Sequence, residues 1–169
     1  MGRKMEVQVD ILNEYKRWID CASDEEIKQE LALMKDNFEE INESFYKELD
    51  FGTSGMRGIL GAGTNRLNTY VLRRSNLALA SHINKNCASK SVVISYDSRK
   101  NSSRFARETA DLMSAMGIKA YLFSELTPVP VLVYAITKLS CDYGIMITAS
   151  HNPAVYNGYK VYGKHGYQI

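Results

Sequence analysis

The amino-acid sequence predicts an α/β fold: a three-layer α/β/α domain with a mostly parallel (mixed) sheet, preceded by a helical N-terminal arm. Three observations predict it. From Asn68 onward, apolar runs of strand length alternate with stretches whose apolar residues recur at helical spacing, the order of a largely parallel sheet with right-handed crossovers. Near the end, the apolar run Tyr143-Gly144-Ile145-Met146-Ile147 gives way abruptly to small, polar, turn-forming residues, as at the end of a strand covered on both faces. Residues 7–47 contain neither Gly nor Pro and read as helical.

The arm is expected over residues 1–48. Ile11, Tyr15, Trp18 and Ile19 make one apolar stripe. Ser23-Asp24-Glu25-Glu26 reads as a capping box, with Ser23 as N-cap and Glu26 three residues on. Ile27, Leu31 and Met34 then form the core face of a second helix, and Phe38, Ile41 and Phe45 mark a third. The charges between them read as a solvated face.

The main domain is expected over residues 49–169. It opens with Leu49-Asp50-Phe51-Gly52-Thr53-Ser54-Gly55-Met56-Arg57-Gly58, running on to Gly61-Ala62-Gly63-Thr64-Asn65-Arg66. Glycines at this density mark backbone that approaches something closely or adopts positive φ. Backbone N–H groups, two hydroxyls and a guanidinium suit a phosphate, although a plain surface loop fits the same residues. A dinucleotide fingerprint fails, because Arg66 stands where its third glycine belongs.

Residues 68–84 fit a helix capped by Asn68, with Leu72, Leu79 and Ile83 inward. Val92, Val93 and Ile94 form a strand ending at Tyr96-Asp97-Ser98-Arg99, where Asp97 and Arg99 read as a salt bridge or helix cap ahead of a substrate contact. Phe105, Thr109, Leu112 and Met116 mark the next helix, closed by Gly117. A second strand follows over residues 118–123. Thr127 as N-cap and Pro128 at the first helical position open a helix through Lys138. The third strand delivers Thr148-Ala149-Ser150-His151-Asn152-Pro153, followed by Asn157-Gly158-Tyr159-Lys160.

Ligands of open α/β sheets bind at the C-terminal ends of the strands, so a hydroxyl there is of interest. Pro153 keeps Asn152 out of the helical region and the loop extended. Asn157-Gly158 is a strong turn signal, expected to fold Tyr159, Lys160 and Val161 back beside the serine strand. Hydroxyl, imidazole and ammonium then face one small volume, though an ordinary hairpin with a polar loop would look alike.

The strings T-A-S-H-N-P and N-G-Y-K closely resemble the active-site serine loop of the α-D-phosphohexomutases, the phosphoglucomutase and phosphomannomutase superfamily; F-G-T-S-G-M-R-G resembles the same family's N-terminal signature. The match covers roughly residues 49–169. It implies catalytic roles for Ser150 as a phosphoserine, for Lys160 in acid/base work and for His151 lining the pocket. It implies substrate or phosphate binding by Thr53, Ser54, Gly55, Arg57 and Asn152. It also implies Mg2+, ligated by the Ser150 phosphate and by residues of another domain. The expected reaction interconverts hexose 1-phosphate and hexose 6-phosphate through a bisphosphorylated sugar. A phosphoglucomutase is the first choice, with phosphomannomutase and phosphopentomutase as alternatives, beside a non-catalytic phosphate-binding or interaction module. The expected partners are a sugar phosphate, a sugar 1,6-bisphosphate activator and the remaining domains of a parent enzyme. The family's Asp-x-Asp-x-Asp-Arg metal loop, its sugar-specifying loop and its distal phosphate-binding loop are absent from this sequence, so the chain is expected to be a piece of a longer mutase.

Composition sets limits on this reading. At 169 residues there is material for one core, and 45% hydrophobic with 24% charged residues is ordinary for a globular chain. A net charge of +2 argues against nucleic acid or an anionic membrane as partner. Cys21, Cys87 and Cys141 are too scattered for a disulfide framework or a zinc site. The start lacks the apolar stretch of a signal peptide, and no apolar run reaches membrane-spanning length, so a cytoplasmic location is expected. His82 and His165 have no ligand-like company and read as structural or exposed.

Overall fold

A computed structural model describes residues 2–169. Three helices come first: α1 (Gly2–Cys21), α2 (Glu25–Leu33) and α3 (Phe38–Phe45). They bury Ile11, Tyr15, Trp18, Ile27, Leu31, Met34, Ile41 and Phe45 in a cluster of their own, closed by Ala62 and Tyr70 of the following segment. Trp18 meets both Phe45 and Tyr70 edge-on. Ile19 is exposed, because the step from Trp18 to Ile19 turns it off the stripe, and Ala22 takes the next inward place. The cap of α2 also differs from the expected box. Asp24, not Ser23, is the N-cap, and its carboxylate accepts from the Ile27 N–H at 3.2 Å. Ser23 is drawn away by Tyr70, whose hydroxyl oxygen accepts from its N–H at 2.6 Å.

The remaining elements are β1 (Phe51–Gly52), β2 (Gly55–Ile59), α4 (Thr69–Asn86), β3 (Ser91–Tyr96), α5 (Ser102–Ala115), β4 (Lys119–Leu122), α6 (Val129–Lys138), β5 (Tyr143–Ile147) and β6 (Tyr156–Gly163). Six strands form one mixed sheet in the order β1-β2-β6-β5-β3-β4. Helical crossovers make β4, β3 and β5 parallel, whereas the short connections β1–β2 and β5–β6 force antiparallel pairing. Alternate residues of each strand feed opposite faces. One face presents Met56, Val92, Ile94, Ile145, Ile147, Tyr159 and Val161 to Leu72, Ile83, Phe105 and Met113 of α4 and α5. The other presents Val93, Met146 and Tyr162 to Leu132 and Ile136 of α6. The three layers are therefore α4 with α5, the sheet, and α6.

Local signals hold where the partner is near in sequence. Asn68 caps α4 by accepting from the Tyr70 and Val71 N–H groups at 3.1 and 3.0 Å. Gly117, with φ of 75°, ends α5 by two bonds: its own N–H to Ser114 O and the Ile118 N–H to Met113 O, both 3.0 Å. The start of α6 lies one residue later than expected, with Pro128 as N-cap. Thr127 serves β3 instead, giving its N–H to Tyr96 O at 3.1 Å and its carbonyl to the Ser95 hydroxyl at 2.8 Å.

Candidate functional site

At the end of β5 the chain leaves the sheet but stays tied to it. Thr148 N donates to Gly158 O at 3.0 Å, and Ala149 is fully buried. Ser150 then turns outward, exposed, with φ of 59°. A left-handed backbone costs a non-glycine residue about 1–3 kcal/mol and persists only where its surroundings fix it. Part of that fixing is a relay. The Ser150 N–H donates to Thr148 Oγ1 at 2.9 Å, and the Thr148 hydroxyl donates to Asp97 Oδ2 at 2.6 Å.

Asp97 stands at the end of β3 and gathers three more groups: the Arg99 N–H, the Ser102 hydroxyl and the Arg99 Nε, at 3.0, 2.7 and 3.2 Å. The expected salt bridge with Arg99 is present. A helix cap is not, since Asn101 is the N-cap of α5 and makes no side-chain cap bond. The far end of Arg99 reaches the serine loop. Nη1 donates to Pro153 O and Tyr156 O at 2.9 and 3.1 Å; Nη2 donates to Ser150 O and Asn152 O at 2.8 and 2.7 Å. The sequence flags this pair at a strand mouth, but its carbonyl partners lie more than fifty residues away and carry no residue-type signal.

Asn157-Gly158 does not form the turn that the dipeptide suggests. Both residues lie inside β6, and residues 148–155 make the connection. Asn157 is fully buried and donates to Lys100 O and Ser102 Oγ at 2.9 and 2.8 Å, which holds it in the strand. Gly158 is there because nothing larger fits: a Cβ would lie 2.6 Å from Thr148 O and 2.8 Å from Met56 O. The expected outcome still holds by another route, since β6 returns antiparallel beside β5, with Lys160 opposite Met146.

On its other side β6 pairs with β2, and Arg57 lies opposite Gly158. Arg57 Nη1 donates to Asn152 Oδ1 at 3.1 Å, while its Nε is buried without a partner among the described residues. Lys160 is 7% exposed. Burial, and then the neighbouring Arg57 guanidinium, hold its ammonium below the usual lysine range. Gly55, with φ of 86°, lets β2 pass this close, since a Cβ there would stand 3.0 Å from Lys160 Cγ. Burial pushes the Tyr162 phenol on the same face up, against the pull of Arg57.

The structure thus brings Arg57 to Asn152 on the loop bearing Ser150, with Lys160 near Arg57 on the adjacent strand. His151 is exposed on the same loop. Thr53 and Ser54 are not brought to it. They form the exposed turn between β1 and β2, and the register of β2 on β6 puts that turn beyond Lys160, away from the end where the serine loop enters β6 at Tyr156. What gathers at the serine end is a hydroxyl on a fixed turn and the Arg57 guanidinium, with the Lys160 ammonium near Arg57, an arrangement suited to a phosphoryl group.

Among known proteins, a family model described as phosphoglucomutase/phosphomannomutase, alpha/beta/alpha domain I, matches residues 48–169. A phosphoglucomutase of Staphylococcus epidermidis is 39% identical over 157 residues, covering 90% of this chain and 28% of that protein. The phosphoglucomutase of Staphylococcus haemolyticus is 44% identical over 127 residues, covering 75% of this chain and 23% of its own. In structure, a Thermus thermophilus chain provisionally described as a phosphomannomutase superposes with a TM-score of 0.66 at 33% identity, over 73% of this chain and 27% of that one. The present chain therefore spans about a quarter of the length of the relatives it matches. It belongs to the phosphoglucomutase/phosphomannomutase family, whose α/β/α domain I it carries.

Proposed function

We propose that residues 49–169 are the phosphoserine-bearing domain of a phosphohexomutase, preceded by an arm of residues 1–48, and that the parent reaction interconverts glucose 1-phosphate and glucose 6-phosphate. The observation that carries this reading is the unopposed cation pair beside an outward-turned serine. Among the described residues Arg57 Nε has no partner, and the charge acting on Lys160 is that of Arg57 rather than a carboxylate. Buried charges are normally paired, so such a pair calls for an anion from outside. The relatives' names favour the glucose phosphate.

In the forward half-reaction, the bond between the Ser150 oxygen and phosphorus breaks while a bond forms between phosphorus and a free hydroxyl oxygen of the hexose phosphate. The hydroxyl gives up its proton to Lys160, whose lowered affinity for protons suits it to accept in the neutral form, and the departing Ser150 oxygen takes up a proton from solvent to become a hydroxyl. The resulting bisphosphorylated sugar turns over and returns its other phosphoryl group to Ser150, whose hydroxyl proton passes to solvent while Lys160 gives its proton to the departing sugar oxygen. Arg57 stabilises the transferring oxygens, and Asn152 holds Arg57 on the loop. His151 is assigned a catalytic role lining the pocket, and Thr53, Ser54 and Gly55 are assigned to substrate and phosphate binding once the other domains complete the cleft.

Mg2+ in this family would neutralise charge on the phosphoryl group. Among the described residues no group of three or more His, Cys, Asp or Glu could hold a metal ion, and the partnerless polar atom beside the serine loop belongs to a cation, Arg57. The residues present do not complete a metal site, and no step is assigned to the ion here. Its further ligands are proposed to come from another domain.

A chimaera tests the reading. Residues 48–169 would replace the matching segment of the S. haemolyticus phosphoglucomutase. Turnover of glucose 1-phosphate that disappears in Ser150→Ala is the expected result. A folded chimaera whose turnover is the same with and without Ser150 would overturn it.

A further inference from the structure

The loop of residues 148–155 leaves the ladder between β5 and β6 and has few backbone bonds of its own, among them Asn152 N to Ala149 O at 3.1 Å. Its carbonyls are instead collected by one side chain. Arg99 donates to the carbonyls of Ser150, Asn152, Pro153 and Tyr156, and turns its Nε to Asp97. A guanidinium carries five N–H groups in one plane, and here the four on Nη1 and Nη2 each meet a loop carbonyl while Nε stands in ionic contact with Asp97 at 3.2 Å. Bonds from a charged donor are roughly twice as strong as neutral ones, and a planar fork fixes direction as well as distance.

We propose that Arg99 is the positioning residue of the serine loop. Held at its root by Asp97, it sets residues 150–156 in one conformation and thereby keeps Ser150 in the left-handed region with its side chain exposed. It touches neither the substrate nor the reacting atoms. Its catalytic purpose rests on the phosphoserine reading, but its effect on the loop does not. Ser150 would otherwise relax toward the extended backbone that serine prefers, and the hydroxyl would no longer be presented in one direction. Lysine cannot replace it, because an ammonium is a point donor with three N–H groups and no plane.

The test uses the 169-residue chain labelled for NMR, with Arg99→Ala and Arg99→Lys. Three quantities are read: the Ser150 Cα and Cβ shifts, amide exchange at Ser150 and Asn152, and exchange at Val93 and Ile145 in the sheet. In both variants, exchange at Ser150 and Asn152 should rise by roughly tenfold or more, as expected for loss of charged hydrogen bonds. The Ser150 shifts should move toward extended values while Val93 and Ile145 keep their protection. Methylguanidinium added to Arg99→Ala should restore part of the native Ser150 signal. Native loop exchange and native Ser150 shifts in a folded Arg99→Ala would overturn the proposal. Should Arg99→Ala not fold, Arg99→Lys decides by the same readings. Protection lost evenly across loop and sheet in both variants would also overturn it, since Arg99 would then serve only global stability. No reading depends on phosphoryl transfer, so a failed chimaera would count against the proposed function and not against this one.

Discussion

Lys160 lies between Met146 of β5 and Gly55 of β2, and the charge acting on it is another cation. Burial and repulsion both disfavour its ammonium, so the folded chain releases that proton at a lower pH than the unfolded chain does. Between the folded value and the ordinary lysine value the unfolded state binds more protons, and stability therefore rises with pH across that window. Below the folded value the penalty is complete; above the ordinary value it is gone. Lys160→Met should flatten the rise, as read from urea midpoints across neutral to alkaline pH. An unchanged slope would mean that Lys160 is solvated after all. Arg57 and the serine loop were singled out in the sequence from dense local strings of residue types, and the structure places Arg57 against that loop. The partnerless Nε of Arg57 and the placement of Thr53 and Ser54 away from the serine loop were not legible there, since both follow from the register of β2 on β6.

At the scale of elements, signals whose partner lies within a few residues were read correctly, and those with a distant competitor were not. Asn68 and Gly117 do what their residue types imply. Ser23 loses its capping role to a tyrosine hydroxyl forty-seven residues away, and Asn157 is held in a strand by Lys100 and Ser102. Thr127 is likewise claimed by β3. Gly117 gives a clean measure of a local signal. A Cβ there would meet nothing within 4 Å, so Gly117→Ala costs only the left-handed backbone. Stability should fall by about 1 kcal/mol in chemical denaturation, with an unchanged m-value. A loss of several kcal/mol would show that the end of α5 is strained in some further way.

For the molecule as a whole, the isolated chain should not isomerise glucose 1-phosphate at a measurable rate, even with Mg2+ and glucose 1,6-bisphosphate supplied. The chain spans about a quarter of its relatives, and substrate orientation alone can be worth on the order of 7–11 kcal/mol of barrier. A coupled assay checks this, and clear Ser150-dependent turnover would mean that this domain holds far more of the site than its geometry implies. The α/β class was legible from alternation, but the strand order was not, because nothing local says that β2 sits beside β6. That adjacency has a consequence for how the chain comes into being. Arg57 pairs with Gly158, so the cation-bearing strand is synthesised long before its neighbour. During translation β4, β3 and β5 can assemble through their helical crossovers, while the β1–β2 hairpin waits with one edge unpaired. Such a long-range closure is slow, and an open strand edge is open to wrong partners. The pairing of β6 with β2 is also what brings Arg57 to the serine loop, so a ribosome-bound chain stalled before Tyr156 should hold the parallel strands without this site.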